Sequence, residues 1–432
     1  MFGKGTLEGT LSRADVSEIV GRACDELHID GKRVLTIIPD RTRTMPMPLM
    51  FQLLQQNLAG RAKAHDYLVA LGTHQLMTDA ELSQMIGCPV KNGVLFPTSA
   101  ERGQRWGSHN SRIINHRWDL PETFVDVGAI PASEVATVSN GLLSEEIVIR
   151  INRLIVDYDQ VLICGPVFPH EVVGFSGGNK YLFPGISGSD MINQTHWLGA
   201  LLGSYNIIGT ASTPVRELID RAATQISVPI SCLALVVSHE GASGIYFGSA
   251  VEAWKAAAEL SSRKHIHWID KPFRRVLSVM PELYRDMWTA AKGMYKAEPA
   301  IADGGEVVVY APQITEFSYT HGNCLEKVGY HCRDYFLKQW SRFAEVPRGV
   351  LAHSTHLKGQ GAYDAATGAE NPRIQVTLAT GISEERCCAM NLGYLDPRTV
   401  KLDEWRDREH EGVKLIPRAG EALYRVRRSS SQ

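Results

Sequence analysis

Three side chains within one short stretch have the types and spacing to act together chemically. From Gly165 to His196 the chain reads GPVFPHEVVGFSGGNKYLFPGISGSDMINQTH, which places His170, Lys180 and His196 around the glycines Gly174, Gly177 and Gly178 in 32 residues. Neutral imidazole is a common metal ligand and also a general acid or base near pH 7. A lysine beside glycine-rich backbone can pair with phosphate or form a covalent adduct with a carbonyl. Glycine lets backbone N–H groups approach a ligand closely, and a helix starting beyond such a turn favours anions. The structural alternative is a strand, a tight turn and a helix cap with ordinary polar residues along them, as most glycine clusters are. Spacing alone leaves both open.

Two familiar fingerprints bear on the same stretch. The phosphate loop GxxxxGK[ST] is absent, because Gly174 to Lys180 has neither its spacing nor its hydroxyl residue. Gly174-Phe175-Ser176-Gly177-Gly178 does fit G-x-S-x-G. A nucleophile elbow places that serine on a sharp strand-to-helix turn, whereas the apolar run Val161 to Cys164, which reads as the strand, ends about ten residues too early. Ser176 is read as a capping or phosphate-contacting hydroxyl, with a serine hydrolase using Ser176 kept as the alternative.

The elements around these residues alternate. Val16 to Leu27 has helical spacing, Arg33 to Pro39 reads as a strand ending at Asp40, and Leu49 to Leu58 as a helix. A second strand, Asp66 to Leu71, runs into Gly72-Thr73-His74. Thr78 with Glu81 then forms a capping box for a helix over Asp79 to Ile86. Strand, polar loop and helix in repetition favour an open parallel α/β sheet, whose ligands sit beyond the carboxyl ends of the strands. Asp40, Arg43 and His74 fall at such ends. Further on, the pattern predicts helices over Ser144 to Asn152 and Thr213 to Ala223 and a strand over Ser227 to Val237. A charged interruption between Ser261 and Arg275 marks a boundary. Beyond it, strands are predicted at Val276 to Met280, Glu306 to Tyr310, Val350 to His353 and Arg373 to Ala379. Helices are predicted at Leu283 to Lys296, Leu325 to Ser341 and Ser383 to Asn391. The expected organisation is two α/β domains with mainly parallel sheets and an interdomain active-site cleft. The first domain, 1–268, binds the cofactor; the second is 269–415; residues 416–432 are a C-terminal strand and a tail that frays from Arg425 onward.

Composition bounds the class. The chain has 432 residues, 44% hydrophobic and 21% charged, as in a soluble globular protein. A formal net charge of −2 gives no bulk attraction to nucleic acid or to an acidic membrane. There is no run of about 18 apolar residues, and MFGKGTLEGTLSRAD lacks a signal-peptide core, so a cytoplasmic setting is expected. The eight cysteines form no CxxC pair and are expected to be thiols rather than zinc ligands or disulfides.

The 165–196 stretch resembles the signature of the lactate racemase family, whose members use a nickel-pincer nucleotide cofactor. That signature, PHxxxGFSGGxKxxxPGI closing on a histidine, is carried by Pro169-His170, Gly174 to Lys180, Pro184-Gly185-Ile186 and His196. The family's Asp-x-Thr-Arg turn is matched by Asp40-Arg41-Thr42-Arg43, and its Gly-Thr-His turn by Gly72-Thr73-His74. The resemblance implies a racemase or epimerase of a 2-hydroxy acid, lactate-like or larger, working by proton-coupled hydride transfer to the tethered cofactor. Lys180 would be the thioamide tether and His196 the nickel ligand, in a square plane that suits Ni(II). His170 and His109 would be the two acid/bases, with His116 the fallback for His109. Arg43 would hold the substrate carboxylate with its forked guanidinium. Asp40, Thr42, His74, Ser176, Gly177 and Gly178 would shape the cofactor environment. The resemblance also implies separate cofactor-maturation enzymes as partners; it leaves the oligomeric state open.

The chain departs from the family in places. Asn179 stands where the family often has arginine. Lys292-Gly293 matches a Lys-Gly step near the substrate, but Trp288 and Thr289 replace the tyrosine and glutamine before it. Those positions line the substrate pocket, so a bulkier or more polar hydroxy acid than lactate is expected. The segment HSTHLKGQG, His353 to Gly361, reads either as polar groups of the second domain or as a cap or surface loop. A protein that holds the nickel cofactor without catalysis is the remaining, non-enzyme alternative.

Overall fold

The computed structural model describes residues 1–96 and 111–427. His109 therefore lies outside the described residues. The chain forms two compact units. One comprises Met1–Phe168, Ser176–Ile192 and Arg216–Lys264; the other comprises Pro169–Phe175, Asn193–Val215 and His265–Gln432. The signature stretch is thus shared: Ser176 and Lys180 belong to the first unit, His170 and His196 to the second.

The first unit is built on a seven-stranded sheet. From edge to edge it runs Phe2–Gly5, Gly241–Ser249, Ile230–Ser238, Gln160–Pro166, Arg33–Pro39, Ala64–Ala70 and Ile113–Asn115. The last five are parallel neighbours, and Gly241–Ser249 is antiparallel to both its partners. The inner strands are apolar throughout, as strands covered on both faces must be: Val34, Leu35, Ile37, Ile38, Leu162 and Ile163 are fully buried. Strands are added outward from Arg33–Pro39 on one side and from Gln160–Pro166 on the other. The order reverses between those two neighbours, and such a reversal opens a crevice at the carboxyl ends of the strands.

The second unit has a five-stranded sheet, all parallel, in the order Gly393–Tyr394, Gln375–Thr380, Ile301–Ala311, Phe273–Val279 and Val413–Ile416. Its order reverses between Phe273–Val279 and Val413–Ile416. The turn carrying Trp288, Thr289 and Lys292 follows the first of these.

Most predicted elements are present, including the helix Asp79–Ile86 with its Thr78–Glu81 capping box, and all eight cysteines are unbridged. Several differ. Residues 144–152 are not a helix: Ile147–Asn152 is a strand antiparallel to Phe124–Ile130. Ile147, Ile149 and Ile151 are buried and Arg150 is exposed, a period of two that β-branched residues favour. The predicted strand at Val350 lies inside the helix Arg348–Lys358, which starts just after Pro347. The predicted helix from Leu325 breaks into Gly322–Val328, Arg333–Lys338 and Trp340–Phe343, with Gly329 at φ +77° after the first piece. Leu283 to Lys296 yields two single turns, Met287–Ala290 and Lys292–Tyr295. The fraying expected from Arg425 is absent there: Leu423–Val426 pairs in parallel with Ile266–Ile269, and Arg425 Nη1 donates to the Ile208 carbonyl at 2.7 Å.

Candidate functional site

In the first unit the reversal point carries the Asp40 turn. Asp40 is 6% exposed. Its Oδ1 accepts the Thr42 N–H at 2.7 Å and the Thr42 hydroxyl at 2.5 Å, and its Oδ2 lies 2.5 Å from His74 Nδ1. Arg43 Nη1 donates to the Thr42 hydroxyl at 2.8 Å. Burial works to raise the Asp40 carboxyl, but His74, Arg43 and the Thr42 hydroxyl outweigh it and hold the group far below the ordinary carboxylate range. Asp40, Arg43 and His74, expected together from their places at strand ends, do form one cluster, with Thr42 between them.

Lys180 sits on the short helical turn Gly178–Tyr181, packed on the strands Arg33–Pro39 and Gln160–Pro166. The Gly72 N–H donates to the Gly185 carbonyl at 2.9 Å, joining the loop before His74 to the segment after Lys180. Gly177 and Gly178 have φ of +84° and +58°. A Cβ at Gly177 would come within 2.6 Å of the Val167 side chain, and one at Gly178 within 2.8 Å of Trp254. The unit's own core demands glycine at both positions, and the Gly178 N–H is turned to the Cys232 thiol. The turn is further braced by Trp254 Nε1 on the Ser176 carbonyl at 2.9 Å, Arg216 Nη1 on the Gly177 carbonyl at 3.1 Å and Asn179 Nδ2 on Asp220 at 2.9 Å. Asn179, where the family has arginine, thus points its amide at an acid of its own unit.

Ser176 is 8% exposed. Its hydroxyl accepts the Phe168 N–H at 2.9 Å and donates to the Pro166 carbonyl at 3.4 Å. That pair of bonds is a structural occupation, and it gives no support to a serine nucleophile. His116 is completely buried, 3.0 Å from Asn152 through Nδ1 and edge-on to Phe124, and burial lowers its pKa to about 4. It is a core histidine, which removes the reason for holding it as the fallback acid/base.

The second unit gathers a different set. His170 lies on the two-residue strand Pro169–His170, paired with Gly174–Phe175. Its Nδ1 accepts the Val172 N–H at 3.1 Å and is 3.2 Å from Glu171 Oε2. Burial works to raise the Glu171 carboxyl, but its electrostatic interactions with His170, His356 and Lys292 outweigh burial and keep it well below its usual range. Lys292 donates to the Thr289 carbonyl at 3.0 Å and lies 5.1 Å over the Tyr284 ring. Trp288 stacks on His353 at 3.9 Å between ring centres and tilts against His321 at 4.4 Å. Thr289 is committed inward, its hydroxyl donating to Asp286 at 2.8 Å beneath the helix turn that Asp286 caps.

His353 and His356 are both buried, on the helix Arg348–Lys358. Burial drives both pKa values down, that of His356 to about 4 against the pull of Glu171, so both are neutral at pH 7. The same helix starts beside the helix bearing His196: Gly349 N–H donates to Asn193 Oδ1 and Arg348 to Gln194 Oε1, each at 2.9 Å. Sequence reasoning gives Glu171 and His321 no role, and leaves His353 and His356 in a segment read either as polar groups of the second domain or as a cap or surface loop. The signal for the last two was the three-residue spacing of His353 and His356, which puts both on one helix face once the segment is helical.

Residues 8–206 match the lactate racemase N-terminal domain. The lactate racemase of Thermoanaerobacterium thermosaccharolyticum is 24% identical over 310 residues, covering 70% of this chain and 65% of the relative. That of Lactiplantibacillus plantarum is 23% identical over 303 residues, covering 66% and 62%. Over residues 8–206 and in these two relatives, the chain is similar to the lactate racemase family. Its match spans less than two thirds of those family members' own length. A Thermotoga maritima protein of known crystal structure is 31% identical, with a TM-score of 0.87 over 97% of this chain and 99% of that one. The lactate racemase apoprotein of T. thermosaccharolyticum shares the fold, at a TM-score of 0.65 and 20% identity over 96% of this chain and 94% of that one.

Proposed function

We propose that this chain is a racemase or epimerase of a 2-hydroxy acid that works with a nickel-pincer nucleotide attached to Lys180. The observation that carries this reading is His170, inside the family-matched region, set against the Glu171 carboxylate with Lys292 beside it. An imidazole so placed can take and return the hydroxyl proton of a hydroxy acid. Lys292 and Arg43 are the cations to which the reading gives the substrate carboxylate; Arg43 offers two donors in one plane.

The residues present fit the cofactor in kind. Arg43 supplies donors for a phosphate or ring, and Lys180 follows directly on a braced turn. Among the described residues no three His, Cys, Asp or Glu side chains are placed to hold a metal ion. A nickel beside His196 would therefore take its other donors from the cofactor. When bound, the cofactor supplies a hydride acceptor. The protein's part is to hold the hydroxy acid, move its hydroxyl proton at His170 and keep the Cα face oriented. His109 remains the proposed second acid/base for the opposite enantiomer.

A bulky, partly polar substrate follows from Trp288. Its ring is stacked on His353 and tilted against His321, a broad aromatic surface in place of the family's tyrosine. The test is a panel of enantiopure 2-hydroxy acids, from lactate to aryl and dicarboxylic members, incubated with protein produced alongside cofactor-maturation enzymes and nickel. Inversion at the hydroxy carbon, faster for a larger member than for lactate, is the expected result. No inversion of any member by protein carrying the cofactor mass would remove the reading in favour of a cofactor-holding protein.

A further inference from the structure

The Nδ1 atom of His170 has two partners that ask opposite things of it. The Val172 N–H, at 3.1 Å, needs a lone pair there. The Glu171 carboxylate, an ion-pair neighbour at 3.2 Å whose angle does not yet make a hydrogen bond, would need a proton there. One nitrogen cannot serve both at once, so the choice fixes the tautomer of the ring. With Val172 as partner, the neutral ring carries its proton on Nε2, which then cannot accept another. With Glu171 as partner, the neutral ring carries it on Nδ1, and Nε2 presents a lone pair.

We propose that Glu171 is a positioning residue for His170: it takes the Nδ1–H, leaving Nε2 as the atom that accepts and returns the substrate proton. This rests on the racemase reading above. A charged acceptor forms a stronger hydrogen bond than a neutral donor–acceptor pair, so the carboxylate prevails over the backbone N–H. A proton taken at Nε2 turns the ring into imidazolium, which Glu171 stabilises; its return restores the neutral Nδ1–H ring. Glu171 stays ionised throughout. The charged and titratable groups facing it are His170 on its own turn, Lys292 from the helical turn Lys292–Tyr295, and His356 from the helix Arg348–Lys358, with His353 one turn earlier on that helix. Since His356 is neutral at pH 7, Lys292 is the standing counter-charge. When Val172 is the partner instead, Nδ1 is still satisfied, so the ring has a resting place in either tautomer without moving its backbone. The hairpin Pro169–His170 against Gly174–Phe175 fixes that backbone.

The experiment is 15N NMR of the full chain with 15N-labelled histidine rings, the His170 signals being identified by their loss in His170→Gln. Wild type is expected to show Nδ1–H at neutral pH, and Glu171→Leu to move the proton to Nε2. Glu171→Gln, isosteric and still an acceptor, is expected to keep Nδ1–H but to lower the His170 midpoint by about one pH unit. The acid limb of kcat/KM in the cofactor-loaded Gln variant should move down with it. A wild-type ring with its proton on Nε2, or one with the same tautomer and midpoint in both variants, overturns the proposal. The tautomer is read without turnover: inversion of substrate with an unmoved tautomer sinks Glu171 alone, and a moved tautomer without inversion sinks the racemase reading alone.

Discussion

The Asp40 turn and the His170 cluster each gather ionisable groups in a parallel α/β unit, yet they are held in opposite ways. Asp40 is a charged group satisfied by neighbours two and three residues away plus one histidine from the adjacent strand end. It is a local device, ionised at neutral pH. The His170 cluster draws on three distant stretches, 169–175, 284–295 and 348–358, and two of its histidines are buried and neutral. The first arrangement suits fixed recognition of an anion or ring. The second leaves imidazoles close to one ionised carboxylate, an arrangement suited to moving a proton.

The largest expected effect separates the two roles outright. Lys180→Ala should abolish the mass increase that the protein gains when made with the maturation enzymes, whereas His170→Gln should retain that mass and lose inversion. Intact-mass measurement of both variants checks this; loss of the added mass in His170→Gln would blur the division between tether and proton carrier. Next, Asp40→Ala strands His74 and Thr42 without their shared acceptor and should cost about 3 kcal/mol of stability in denaturant unfolding, the scale for breaking a buried pair. A loss under about 1 kcal/mol would place Asp40 among ordinary loop carboxylates.

The pH response sharpens the same contrast. His353 and His356 have folded pKa values below the ordinary 6.5, so their stabilisation is full above pH 6.5 and declines as pH falls toward the folded values, about 4 for His356. The decline is roughly 1 kcal/mol per pH unit for each such histidine. Asp40, with its pKa depressed below 3.8, keeps its stabilisation until pH falls below that value. Amide exchange, corrected for the intrinsic pH effect, should therefore show the helix Arg348–Lys358 losing protection between pH 6.5 and 5 while residues 40–43 keep theirs. Equal loss in both places would contradict the contrast. The smallest effect belongs to Ser176→Ala, which removes one hydroxyl from the Phe168 and Pro166 bonds. It should cost about 1 kcal/mol and leave inversion within a few-fold of wild type; abolished turnover with the cofactor still attached would return the serine to the chemistry.

The two regions were also unequally legible. Asp40, Arg43 and His74 lie directly after strands whose apolar runs are plain in the sequence, so their gathering at one end of the sheet follows from the parallel-sheet rule. The His170 cluster does not. His353 and His356 fall in a segment whose Val350-Leu351 start imitates a strand, and only the packing of the helix Arg348–Lys358 reveals that they share a face. Glu171 was passed over because its neighbours His356 and Lys292 are far off in sequence. The bond from the Thr289 hydroxyl to the capping Asp286 is invisible to a reading of its position alone. Likewise, Gly177 and Gly178 are set by Val167 and Trp254, partners that no local pattern names.

The central claim is inversion at a hydroxy carbon by protein carrying the Lys180-linked cofactor. The direct measurement is chiral chromatography of enantiopure 2-hydroxy acids after incubation with cofactor-loaded protein, beside Lys180→Ala prepared identically. The account predicts approach to the equilibrium mixture of the two configurations from either side with wild type, and none with Lys180→Ala. Retained configuration across the panel with wild type of verified cofactor mass, or inversion undiminished in Lys180→Ala, would contradict it.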